Sequence, residues 1–189
     1  MTPTLHTERL TLRPLREEDA PFVEKLASDR LIADTTLLIP HPYPEGEARN
    51  WIIRSKKKAE QQEAYTFAIT DKQRGEIIGT YTLKLELLHQ KAELGYWIGV
   101  PFWGKGYMTE VTKRMIQYGF DELGLNKIHA SALARNPAST NIMKKCGMSY
   151  EGTLKHHIFK WGQPEDSEFY AILKEEYEEM KKKQSSITS

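Results

Sequence analysis

Gly104 and Gly106 flank Lys105 in the segment Trp103-Gly104-Lys105-Gly106-Tyr107-Met108-Thr109, which lies between a strand-like run and a helical one. Neither glycine has a side chain to keep a ligand off the backbone. A helix starting behind such a loop points its unpaired first-turn N–H groups and its positive dipole end into the same space. These are the requirements for holding a phosphate, and Lys105 adds a positive charge. A Walker-type loop needs Gly-Lys followed by Ser or Thr, but here Gly106 follows; a dinucleotide fingerprint needs a glycine where this chain has Thr109. Two glycines before a helix also describe a tight turn with a capped helix, and the loop by itself favours that reading.

Other reactive side chains are few. Cys146 is the one cysteine, which excludes an internal disulfide and a cysteine-based zinc cluster. It falls on the apolar side of its helix with Ile142 and Met143, with no base placed beside it, so a buried structural thiol is expected rather than a nucleophile. His156-His157 lacks further metal ligands, and no metal site is expected. Asn136 precedes Pro137 as a helix N-cap, with Ser139 in the first turn.

The elements that must position these residues follow from periodicity. Arg9 to Leu15 alternates as a strand, and Glu17-Glu18-Asp19 opens a helix carrying Phe22, Val23 and Leu26. Residues 34–46 are broken by Pro40, Pro42, Pro44 and Gly46; a helix resumes near Glu47. Three strands follow at Ala64–Thr70, Glu76–Leu87 and Ala92–Val100. In the third, Leu94, Tyr96 and Ile98 share one face, and Glu93, Gly95, Trp97 and Gly99 the other. Thr109 to Leu123 carries the apolar stripe Val111, Met115, Ile116, Phe120 and Leu123. A strand at Lys127–Ala134, a helix from Asn136 to Gly147 and strands at Ser149–Lys160 and Ser167–Lys174 complete an α/β (α+β) domain with a mixed, mostly antiparallel sheet. We expect one domain over residues 1–178 and a frayed polar tail over 179–189.

The chain has 189 residues, 28% of them charged, with formal net charge +1. That balance argues against a nucleic-acid binder. No apolar run reaches the ~20 residues of a membrane span, and the N-terminus lacks a signal-peptide pattern, so a cytoplasmic location is expected.

The run GYWIGVPFWGKGYMTEVTKRMIQYGF, followed by ALARNPASTNIMKKCGM, resembles the GNAT acetyltransferase superfamily. With TERLTLRPL and TLLIPHPYP, the resemblance extends to the branch of the ribosomal-protein N-terminal acetyltransferases RimJ and RimL, over roughly residues 8–175. It implies the acyl-CoA N-acyltransferase fold and acetyl-CoA as donor to an amine. The family's pyrophosphate loop maps onto Trp103 to Thr109, with Gly106 kept and Trp103 and Met108 departing from the strict pattern. It also implies that the pantetheine arm pairs with the backbone of Trp97, Ile98, Gly99 and Val100. Asn136 would contact that arm and Asn141 the adenosine phosphates. Glu93 is implied as general base. The tyrosine that many GNAT enzymes use as acid is replaced by Met143, and the branch's serine, Ser139, stands as the acid. Tyr43, Trp51 and Trp161 are implied on the acceptor side. The favoured acceptor is a protein or peptide N-terminal α-amine. A small amine such as a polyamine, amino sugar or amino acid is the alternative, and a non-catalytic acyl-CoA-binding module the rival class. Monomer or homodimer is left open.

Overall fold

The alternation at the N-terminus places Leu10 and Leu12 in the core at 0% exposure on strand β2 (Leu10–Pro14), beside a short strand β1 (Leu5–His6) that the sequence does not signal. The computed structural model describes residues 2–187. A 3-10 turn at Glu17–Asp19 leads into α1 (Ala20–Ala27). The Asp19 carboxylate accepts from Arg13 at 2.7 and 2.8 Å and from the Arg16 N–H at 2.8 Å, which fixes this turn. Next comes α2 (Arg30–Thr35), capped by the Asp29 side chain on the Leu31 N–H at 2.9 Å. This helix was not expected: six residues are too few for an apolar stripe to show. The Pro-rich segment then runs to α3 (Glu47–Glu60).

Strands β3 (Ala64–Asp71), β4 (Ile77–Glu86) and β5 (Lys91–Ile98) form an antiparallel meander. Helix α4 (Tyr107–Gln117) starts two residues earlier than its stripe suggests and closes in a π-turn at Tyr118–Glu122. Gly119 sits in that turn because a Cβ there would lie 2.6 Å from Ile128 Cδ1. Then follow β6 (Lys127–Leu133), α5 (Pro137–Lys145), β7 (Ser149–Lys160) and β8 (Gln163–Leu173). Strand β8 begins at Gln163 rather than Ser167, so β7 and β8 make one long hairpin. Residues 179–187 of the tail expected to fray belong to α6 (Lys174–Ile187); residues 188 and 189 lie outside the described residues. The Tyr177 ring stacks on Phe120 at 5.0 Å and its hydroxyl donates to Asp121 at 3.0 Å, which accounts for the ordered helix.

Among the described residues, eight strands form one sheet, ordered β1-β2-β3-β4-β5-β6-β8-β7, and only β5 and β6 pair in parallel. The larger core cluster packs α4 and α5 against the face carrying Leu94, Tyr96 and Ile98; a smaller one packs α1 and α3 against the face carrying Trp97.

Candidate active site

Strands β5 and β6 pair only from Lys91–Leu94 to Lys127–Ala130. Beyond that they run on to Ile98 and Leu133 without bonding each other, so the sheet opens. The Gly99 N–H donates to the Ile78 carbonyl at 2.8 Å, and Gly79 pairs with Ile98. Antiparallel pairing alternates, so Trp97 and Gly99 turn their backbone groups toward β4, while Tyr96 and Ile98 turn theirs toward the opening. Of the expected run Trp97 to Val100, therefore, only Ile98 offers backbone to the opening. Tyr96, which the alternation places on one face with Leu94 and Ile98, is the second. The Ile98 carbonyl already accepts the Trp103 indole N–H at 2.7 Å, leaving the Ile98 N–H directed into the gap. Val100 starts a 3-10 turn, its carbonyl accepting the Trp103 N–H at 3.1 Å.

The opening leads into a cavity of about 470 Å³. Its walls are the loop Phe102 to Thr109, the start of α5 and the end of α2. Gly104 and Gly106 sit at φ of 72° and 76°, left-handed backbone that a side chain resists. Gly106 caps α4, whose first internal bond runs from the Glu110 N–H to the Gly106 carbonyl at 3.1 Å. The N–H groups of Tyr107, Met108 and Thr109 thus have no acceptor within the helix. The Met108 side chain turns into the core at 6% exposure, so the bulk that departs from the family pattern is directed inward.

Arg9 holds this loop. Its guanidinium donates to the Lys105 carbonyl at 2.9 Å and to Glu110 Oε2 at 2.7 Å, and lies 4.4 Å from the centre of the Tyr107 ring. Its backbone N–H donates to Glu110 Oε1 at 2.8 Å. Burial works against the Glu110 carboxylate, yet hydrogen bonds from Thr7 and Arg9 hold it below the usual carboxylate range. No sequence signal links Arg9 to a loop 96 residues away.

At the start of α5, Asn136 Oδ1 accepts the Ser139 N–H at 3.2 Å while Nδ2 donates to the Thr35 carbonyl at 3.1 Å. Asn136 is thus an N-cap and a tie to α2. Lys160 Nζ donates to the Thr36 carbonyl at 2.7 Å, and Arg135 bridges Asp34 at 3.0 Å and Glu165 at 2.8 Å. The Ser139 hydroxyl lies 3.0 Å from the Tyr96 hydroxyl, and the Tyr96 ring stacks on Tyr81 at 5.1 Å. Burial pushes the Tyr96 phenol up to about 12. Lys145 joins the cavity wall, whereas Asn141 is exposed outside it and Lys144 lies over the Tyr170 ring at 5.7 Å.

Glu93 is on the opposite sheet face from Tyr96, at the last turn of pairing before the opening and outside the cavity wall. Its carboxylate is 3.7 Å from Lys84 Nζ, and it registers beside His129. Burial holds His129 below its ordinary pKa, with Glu93 pulling the other way. Cys146 is 2% exposed, and burial pushes its thiol up to about 11. Among the described residues no group of three or more side chains is placed to hold a metal, and no helix is long and apolar enough to cross a membrane. Tyr43 and Trp51 pack with Trp97 around the smaller core. Trp161 lies between Arg30 at 5.4 Å and Lys160 at 5.0 Å.

A family model described as acetyltransferase (GNAT) domain matches residues 9–149. The chain is 32% identical over 175 residues, 92% of its length and 98% of the relative's, to the N-acetyltransferase p20 of Bacillus licheniformis. Spermidine N-acetyltransferase from Vibrio cholerae, solved with CoA and spermine, superposes with a TM-score of 0.78 at 27% identity, covering 89% of this chain and 98% of that one. The ribosomal L7/L12 alpha-N-protein acetyltransferase RimL, solved with coenzyme A, superposes with a TM-score of 0.83 at 18% identity, covering 90% and 98%, a likeness of fold.

Proposed function

The chain belongs to the GNAT acetyltransferase family, as an N-acetyltransferase with acetyl-CoA as its donor, and on that premise we propose that it acetylates the α-amine of a protein or peptide N-terminus by direct transfer. The observation that carries the reading is the opened sheet edge at Tyr96 and Ile98 leading to the unpaired N–H groups of Tyr107, Met108 and Thr109. Those N–H groups, with Lys105 and Lys145, suit a pyrophosphate. The open strand edge suits an extended amide-bearing arm, which adds like a further strand. Coenzyme A combines both features, and its thioester supplies the activated acetyl group. The Ile98 N–H is the group aimed to polarise the acetyl carbonyl. Glu93 receives the amine's proton, directly or through water, and Ser139 donates toward the sulfur. Asn136 holds the arm's wall in place.

Two arguments favour an α-amine. Its reference pKa is about 8 against about 10.4 for a lysine-type amine, so more of it is neutral at pH 7. A polycation would require unpaired carboxylates, yet Glu93, Asp34 and Glu165 each face Lys84 or Arg135. Both arguments support a RimJ/RimL-like reading. The relationship to a spermidine acetyltransferase supports a polyamine as the second reading. Thiol release with acetyl-CoA across N-terminal peptides, spermidine, spermine, amino sugars and amino acids decides between them. Turnover of peptides at least tenfold above polyamines is expected; turnover of polyamines alone overturns the acceptor assignment.

A further inference from the structure

The hydroxyls of Tyr96 and Ser139 lie 3.0 Å apart, one from the sheet and one from the first turn of α5, both on the wall of the cavity. We propose that Tyr96 is a positioning residue that aims the Ser139 hydroxyl hydrogen at the sulfur of the bound donor. This rests on the reading that acetyl-CoA occupies this cleft.

Each hydroxyl has one hydrogen to give. If Ser139 gave its own to Tyr96, the phenol hydrogen would be left with the cavity or with the Ser139 carbonyl at 3.4 Å, beyond the ordinary range for such a bond. The phenol is also the more acidic of the two and the better donor. Tyr96 therefore donates to Ser139 Oγ, and among the described residues that oxygen has no other side-chain partner. The Ser139 hydrogen is then free to point into the cavity. Tyr96 is held for the task by its stack on Tyr81, 5.1 Å between centres and 21° between planes. Tyr81 is itself fully buried and bonded to Thr112 at 3.2 Å.

The acid strengths separate two roles that the geometry alone allows. A thiol has a reference pKa near 8.5, whereas the Tyr96 phenol stands at about 12. Passing a proton from the phenol through Ser139 to a thiolate is unfavourable by roughly three thousandfold. Tyr96 thus stays protonated, and the pair acts as a chain of two donated hydrogen bonds that strengthen each other. In the balanced step the C–S bond breaks, the C–N bond forms, and the amine's proton goes to Glu93 or water. The sulfur leaves as a thiolate bonded to the Ser139 hydroxyl, to be protonated from solvent on release.

Free CoA bound to the full chain is the probe, because its thiol ionises without an acceptor and is read as the ultraviolet difference between protein with CoA and protein alone at each pH. A pH titration of bound CoA in the wild type should place the thiol midpoint below that of CoA in solution. Tyr96→Phe, which keeps the ring and its stack, should raise the ionisation midpoint by about one pH unit, a tenfold change in the constant. Ser139→Ala should raise it at least as far, and the double variant no further than Ser139→Ala. Replacing Tyr96 with 3-fluorotyrosine, a stronger donor of nearly the same shape, should lower the midpoint, which covers the case of Tyr96→Phe failing to fold. A Tyr96→Phe midpoint equal to wild type, or additive losses in the double variant, overturns the proposal. Absence of CoA binding to the wild type would instead overturn the donor reading on which it rests.

Discussion

At the scale of single residues, the cleft separates groups that face a ligand from groups that face the core. Cys146 belongs to the second class although it caps α5, whose first turn walls the cavity. Its sulfur is 3.6 Å from the Thr109 carbonyl, and burial pushes its thiol up to about 11. In the unfolded chain such a thiol ionises near pH 8.5. The folded state thus holds the proton more tightly: the thiol's contribution to stability is complete below about pH 8.5 and declines as pH rises toward 11. At pH 8.5 roughly half of the unfolded thiols are reactive thiolate, but under one in a hundred folded ones. Iodoacetamide at that pH should label the urea-unfolded chain completely while native chain stays unmodified by intact mass. Cys146→Ala should keep turnover and lose about 1–2 kcal/mol of stability from the small cavity left behind. Rapid labelling of native protein together with loss of turnover would give Cys146 a chemical role. Ser139 and Tyr96 belong to the first class, and their pairing shows why type and spacing do not identify every working residue. Tyr96 shares its strand face with the core-facing Leu94 and Ile98, so a period of two groups it with them; the opening of β5 from β6 is what exposes its hydroxyl to the cavity.

At the scale of elements, the loop before α4 was readable from its glycines and from the stripe behind it, and both left-handed φ values agree with glycine at those two positions. What fixes the loop in space was not readable. Arg9 comes from the start of β2 and reaches Lys105, Tyr107 and Glu110, a tertiary arrangement that no local pattern encodes. The same holds for α2, too short to show periodicity, and for Asn136, whose cap was legible but whose bond to Thr35 was not. The register that turns the Ile98 backbone toward the opening and the Trp97 backbone toward β4 depends on pairing partners, so the family resemblance implied only a consecutive run of four. If Arg9 works by holding the loop, Arg9→Ala should raise the apparent KM for acetyl-CoA several-fold while kcat changes less than twofold. Arg9→Lys should not restore it, because an ammonium cannot span the Lys105 carbonyl and the Glu110 carboxylate with the planar spread of a guanidinium. Initial rates at varied acetyl-CoA measure this. A fall in kcat with unchanged KM would instead tie Arg9 to the chemical step.

At the scale of the whole molecule, the opening that makes the site also divides the sheet. Strands β1 to β5 and strands β6 to β8 are joined in the sheet only along Lys91–Leu94 and Lys127–Ala130. Other ties cross outside it: Asn136 and Lys160 hold α2, Arg135 holds Asp34, and Tyr177 of α6 packs on the π-turn after α4. A donor lying in the cleft would touch β5 and the α4 loop on one side and α5 on the other, adding a bridge where the backbone ladder stops. Acetyl-CoA at a hundred times its Kd should stabilise the folded state by about 2.7 kcal/mol. For a chain of this size that raises Tm by roughly 5–10 °C. Its distribution distinguishes bridging from simple loop binding. Amide hydrogen exchange should slow together at Tyr96 and Ile98, at Tyr107 to Thr109 and in the first turn of α5, because closing the cleft suppresses a shared opening motion. Protection confined to the α4 loop, with α5 exchanging as before, would mean that the ligand sits on the phosphate cradle without joining the two parts of the sheet.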